Sequence, residues 1–170
     1  MPPFWRPEVF HPLVVHFPLA LLPVASLCRI VHYLFRNQAK FHFLLPASRL
    51  LLVIGLIFAG GAIWSGNIAE NFVNRKICDP TVTQNHEKFT LFSTYSFTVA
   101  ILFDFLLWKY KRIPIQLARV FTIALILSLT TGTLLLARGG HLGATLVYQQ
   151  GAGVYQPSSN CKEFESIESF

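Results

Sequence analysis

Six histidines punctuate an otherwise apolar chain: His11, His16, His32, His42, His86 and His141. Neutral imidazole ligates haem iron, copper and zinc. A lipid-facing surface has little use for it, because ionisable groups in a bilayer are costly and turn inward. Two of the six fall in "HPLVVHFPLALL", at the head of the first apolar run, where Pro12, Pro18 and Pro23 are interleaved. His86 opens a later run in "NHEKFTLF", and His141 closes another in "ARGGHLGATLVY". Two imidazoles at one depth on facing helices, with space between them, suit the axial positions of a b-type haem. The chain has no CxxCH motif for covalent haem, no CxxC pair for cysteine-bound zinc, no P-loop and no nucleophile elbow. Hydrolase and nucleotide chemistry therefore find no support.

The elements that must position these side chains follow from composition. The 170 residues suit one domain, and they are 53% hydrophobic and 13% charged, with positive mean hydropathy. A soluble core of this size cannot absorb that much apolar side chain. A bilayer span needs about 20 apolar residues, and the chain offers such windows at about 13–35, 43–66, 89–108 and 113–137. The reading is all-α: an integral-membrane, four-helix, up-down bundle over 1–155, followed by a polar outer tail over 156–170. "MPPFWRPEVF" lacks a basic n-region and no small-residue cleavage site follows the first run, so that run is expected to stay as a spanning helix. Short connections make two antiparallel hairpins. No low-complexity tract or internal repeat is evident residue by residue.

Charge then orients the bundle. Arg29, Arg36, Lys40 and Arg49 flank one short turn, and Lys109, Lys111, Arg112 and Arg119 flank the other, with Asp104 as the only acid on that side. The opposite side carries the remaining carboxylates against Arg6, Arg75, Lys76, Lys88, Arg138 and Lys162. Short basic loops stay cytoplasmic. Both termini are therefore expected on the outer, periplasmic side of a bacterial inner membrane. The high isoelectric point is a topology signal, and nucleic acid is not an expected partner. Cys78 and Cys161 both fall on the outer side, where a disulfide between them is a candidate; Cys28 reads as a buried thiol within the first span.

This topology gathers His11, His16, His86 and His141 on one rim. His16, about one turn deeper than His11, is the expected axial ligand from the first helix, with His86 or His141 opposite. Arg138, Lys88 or Arg75 could pair with propionates, and Trp64, Phe17 and Phe89 could wall the pocket. Other readings stay open. Histidine and tryptophan are common at membrane interfaces, His11 can be a helix-start residue before Pro12, and Asn85 can be the N-cap of a helix opening at His86. The four histidines could instead hold copper or zinc, or the chain could be a cofactor-free scaffold subunit. Gly55, Ala59, Ala62 and Gly66 share one helical face, suited to close helix packing or to a planar cofactor. The glycine-rich stretch after Arg138 is expected to leave the bilayer and turn back over the bundle. Asp104 is expected to pair with Arg29, Arg49 or Arg119, and His32 and His42 lie at the opposite, basic end.

"HPLVVHFPLALL", "AIWSGNIAE", "HE" at the head of the third run and "GGHLGATLVYQQGAGV" together resemble a bacterial four-span membrane family known as domain of unknown function 2231. The resemblance covers roughly residues 9–155. It implies a four-helix fold and association with membrane redox systems containing cytochromes or Rieske proteins, with His11, His16, His86 and His141 as the positions carried over. Gln150 stands where the family often has histidine, which favours one haem over two. The resulting expectation is an electron-transfer or accessory subunit of a larger membrane complex rather than a stand-alone enzyme. Its partners would be the lipid bilayer and other membrane or periplasmic redox subunits such as cytochromes.

Overall fold

The computed structural model describes residues 7–75, 77–110 and 113–154. They form four helices, α1 (Pro7–Leu34), α2 (Leu44–Val73), α3 (Pro80–Lys109) and α4 (Ile115–Tyr148), with a 3-10 turn at Ala39–Phe41. Each of the four is long and apolar enough to cross a membrane. α1 is continuous although it contains Pro12, Pro18 and Pro23, each of which removes one backbone hydrogen bond.

At the end where α2 connects to α3, the helices overrun the apolar windows by about two to three turns, because helix continues there through polar sequence. The glycine-rich stretch is the clearest correction: it does not turn away but stays inside α4 as far as Tyr148. The helix ends only afterwards, and the following Gly151 and Gly153 take φ of 67° and 70°, which favour glycine. α3 likewise starts earlier than expected. Its N-cap is Asp79, not Asn85: the Asp79 carboxylate accepts from the Thr81 N–H at 2.9 Å and from the Thr81 hydroxyl at 2.7 Å, and Pro80 takes the first helical position.

The helices pair as two tight hairpins, α1 with α2 and α3 with α4, which meet along a looser seam. Glycine sets the close approach within each pair. A Cβ on Gly55 would sit 2.6 Å from Leu22 Cδ2, and one on Gly132 would sit 3.0 Å from the Phe97 ring. The Gly55, Ala59, Ala62, Gly66 face is thus filled by α1 rather than by a planar cofactor. Leu22, Ala25, Leu52, Ala59, Phe97, Ala100, Leu125 and Leu129 form the buried core, and Ser93 donates to the Gly132 carbonyl within it at 2.8 Å. Outward positions such as Leu13, Ile57 and Leu134 stay more than 60% exposed, which in water would be a large apolar liability and in lipid is none.

The structure also reveals a repeat that residue-by-residue reading misses. His11 and His86, Leu22 and Phe97, Ala25 and Ala100, and Arg29 and Asp104 keep one constant offset between α1 and α3. Gly55 and Gly132, Ala62 and Gly139, Gly66 and Gly143, and Ala69 and Leu146 keep another between α2 and α4. The two hairpins use matched positions for matched contacts, so an approximate two-fold rotation about the bundle axis exchanges them. His11 and His86, Ala25 and Ala100, Gly55 and Gly132, and Gly66 and Gly143 are identical pairs, but along the rest of the helices identity is sparse, and the burial pattern is what makes the repeat legible.

Candidate functional site

Along α1, the buried or half-buried positions His11, Pro18, Leu22, Ala25 and Arg29 recur at helical spacing and form the inward stripe. Along α3 the corresponding stripe is Thr83, His86, Ser93, Phe97, Ala100 and Asp104. Each stripe therefore carries a histidine near the same end. Across the seam the His11 and His86 rings stand 6.1 Å apart between centroids, with their planes at 88°.

Each ring is fixed by its own hairpin. His11 Nδ1 lies 3.0 Å from the Ala62 carbonyl of α2, with Ser65 Oγ at 3.3 Å. His86 Nδ1 lies 2.8 Å from the Gly139 carbonyl of α4. A carbonyl oxygen only accepts, so both Nδ1 atoms donate and both Nε2 atoms carry the lone pair. Neither Nε2 has a hydrogen-bond partner among the described residues. This is the arrangement by which a backbone carbonyl fixes the tautomer and orientation of a metal-ligating histidine. Glycine again makes room: a Cβ on Gly66 would lie 3.1 Å from His11 Cε1, and one on Gly143 would lie 3.1 Å from His86 Cε1. One turn before His86, the buried Thr83 hydroxyl has no hydrogen-bond partner among the described residues. A buried polar atom of this kind calls for a partner from beyond the described residues.

The spacing has a direct chemical meaning. With a metal–nitrogen bond of about 2.0 Å, each imidazole centre stands about 3 Å from its ion, so two rings on opposite sides stand about 6 Å apart. Among the described residues no third His, Cys, Asp or Glu joins the pair. The donor set is two imidazoles, which suits axial ligation better than a four-ligand zinc site.

The other sequence candidates lie elsewhere. His16 is exposed, with its Nδ1 on the Pro12 carbonyl of its own helix. Five residues at about 100° each carry it about 140° around α1 from His11, so the two cannot both face the seam. His141, Arg138, Arg75 and Lys88 are exposed, and Trp64 is 69% exposed on the outward face of α2. Phe17 stacks on Phe58 at 4.3 Å, while Phe89 sits beside Gly139. Gln150 accepts a hydrogen bond from the Asp79 N–H at 3.1 Å, tying the end of α4 to the start of α3. Cys78 is exposed; its candidate partner Cys161 lies outside the described residues.

At the basic end, His32 and His42 also meet, at 6.2 Å. Their setting is less suited to a cation. His42 is exposed, its Nε2 bonds the Arg36 carbonyl, and the turn itself carries Arg36 and Lys40. Deeper at that end, Asp104 pairs with Arg29 and Arg49 as expected, and Arg119 is exposed and takes no part.

Sequence reasoning gathered His11 and His86 on one rim but expected His16 as the ligand from α1, whereas the structure turns His11 and not His16 toward the seam; it gave Gly66, Gly139, Gly143 and Ser65 no part beside the histidines. The available signal was the stripe itself: extended toward the N-terminus from Arg29, it passes through His11 and not His16. Neither the curated proteins nor the solved structures contain a match to the chain. The family described as predicted membrane protein (DUF2231) matches residues 7–156, which is most of the sequence, and the chain belongs to that family.

Proposed function

We propose that the chain is a membrane electron-transfer subunit that holds one non-covalent b-type haem between its two hairpins, with His11 and His86 as axial ligands. The observation that carries this reading is the facing pair itself: two half-buried imidazoles 6.1 Å apart, each Nδ1 committed to a backbone carbonyl of its own hairpin. Haem bound there would supply one-electron chemistry. The chain's own work is to hold both rings in the ligating tautomer, to keep α2 and α4 clear of them through Gly66 and Gly143, and to offer the Thr83 hydroxyl as a polar contact. The position of the pair close to one end of the bundle suits exchange with a membrane or periplasmic partner such as a cytochrome subunit. The basic turns support an inner-membrane topology with that end, and both termini, on the outer side.

The test is an absorption spectrum with metal analysis of protein purified in mild detergent from cells supplied with haem precursor. The expected result is a Soret band that survives washing, sharp bands on reduction and about one iron per chain. Protein without a Soret band and without iron overturns the reading. Copper or zinc in place of iron overturns the haem and assigns the pair to an ion.

A further inference from the structure

The cluster at the basic end carries one more positive charge than its fold requires. Arg29 and Asp104 are repeat equivalents, one from each hairpin, and they form an ion pair across the seam. That pair alone is neutral and closes the end of the bundle. Arg49 is the addition. Its equivalent on α4 is Ile126, yet Arg49 donates from Nε to Asp104 Oδ2 at 2.6 Å and from Nη2 to Oδ1 at 3.3 Å. One carboxylate thus faces two guanidiniums, and no second acid stands at this end among the described residues.

Depth and exposure say where the compensating anion comes from. Arg29, Arg49 and Asp104 each lie five residues inside their helix ends, about 7 Å along the axis. That places the cluster about one and a half turns inside the spans at this face, a depth from which a long guanidinium side chain reaches back toward the head groups. The Arg29 and Asp104 side chains are 12% and 9% exposed, whereas Arg49 is 33% exposed. Arg49 Nη1 has no partner among the described residues. Beneath it lies a water-sized void bounded by Ser48, Leu52, Leu125 and Leu129. An unbalanced guanidinium within a span is costly unless an anion reaches it, and basic pockets between spanning helices take anionic lipid head groups.

We propose that Arg49, backed by Arg29, binds the phosphodiester of an anionic phospholipid in the leaflet at this end. The lipid completes the charge balance of the cluster. The test measures thermal unfolding of the full chain in dodecyl maltoside, titrated with phosphatidylglycerol, with phosphatidylcholine and with inorganic phosphate. Phosphatidylglycerol is expected to raise the melting temperature saturably, and the two controls are expected to do little. Arg49→Gln keeps a donor for Asp104 and leaves the Arg29–Asp104 pair neutral; it is expected to weaken the lipid response about tenfold or more. Lys109→Gln, at the same end but outside the cluster, is expected to retain the response. Equal responses to phosphatidylglycerol and phosphatidylcholine, or an unchanged response in Arg49→Gln, overturn the proposal. So does loss in both variants alike, which would mean general surface attraction, and so does full reproduction by inorganic phosphate, which would assign the site to a free anion.

Discussion

Replacing Gly132 with alanine should destabilise the bundle, whereas the same change at Gly60 should strengthen it. Both glycines lie inside helices, where alanine is favoured by about 1 kcal/mol. Around Gly60 an added Cβ meets nothing within 4 Å, so that preference is the whole effect. At Gly132 the methyl would stand 3.0 to 3.1 Å from three atoms of the Phe97 ring, a side chain that is 0% exposed and has no room to retreat. Overpacking of this kind costs about 1 to 3 kcal/mol. Pushing α3 away also strains the Ser93 bond to the Gly132 carbonyl, worth about 1 kcal/mol. After the helix preference is subtracted, Gly132→Ala should cost about 1 to 3 kcal/mol, which separates the two variants by about 2 to 4 kcal/mol. The assay is unfolding in mixed micelles by added SDS, followed by helical circular dichroism. Phe97→Leu should relieve Gly132→Ala, giving a coupling of at least about 0.5 kcal/mol in the double-mutant cycle. Equal stability of the two alanine variants, or strict additivity with Phe97→Leu, would refute the close approach of α3 and α4 on which the site geometry depends.

Further predictions follow from other contacts. Asp104→Asn leaves Arg29 and Arg49 facing each other without a counter-charge, and should cost about 3 to 5 kcal/mol in the same assay; a loss below 1 kcal/mol would mean the cluster is solvated. Gly143→Ala would bring Cβ to 3.1 Å from His86 Cε1, and should lower the ratio of Soret to protein absorbance by loosening the His86 bond to Gly139; an unchanged ratio would speak against His86 as a fixed ligand. The Thr81 hydroxyl and N–H hold the exposed Asp79 carboxyl below the usual carboxylate range. Its capping contribution is therefore fully present above about pH 4 and is lost as pH falls through the lowered value. The difference in melting temperature between the wild type and Asp79→Ala should accordingly narrow on acidification, and a difference that widens would reverse the sign of the argument.

The spans, their pairing and the ion pair of Asp104 were legible because long apolar runs, short basic turns and a lone acid in a span each have one economical reading. The polar helix ends were not. Asp79 with Pro80 is a strong helix start, but hydropathy draws the eye to the later apolar run and so to Asn85. "ARGGHLGA" reads as a helix breaker when glycine is weighed by propensity alone. In the bundle, Gly139 and Gly143 are the surface that admits Thr90 and His86, and tertiary packing outweighs the local preference. Which of His11 and His16 faces the seam is set by angular position around α1 rather than by depth along it. The repeat escaped notice because its halves share burial pattern and little sequence: Leu22 answers Phe97, and Arg29 answers Asp104.

The most direct test of the central claim compares four single variants, His11→Ala, His16→Ala, His86→Ala and His141→Ala, by absorption and low-temperature electron paramagnetic resonance of the purified, haem-loaded chain. His11→Ala and His86→Ala should each abolish the low-spin, six-coordinate signature, while His16→Ala and His141→Ala should leave it in place. Loss of that signature in His16→Ala or His141→Ala, with His11→Ala and His86→Ala unaffected, would contradict the assignment of the facing pair as the ligands.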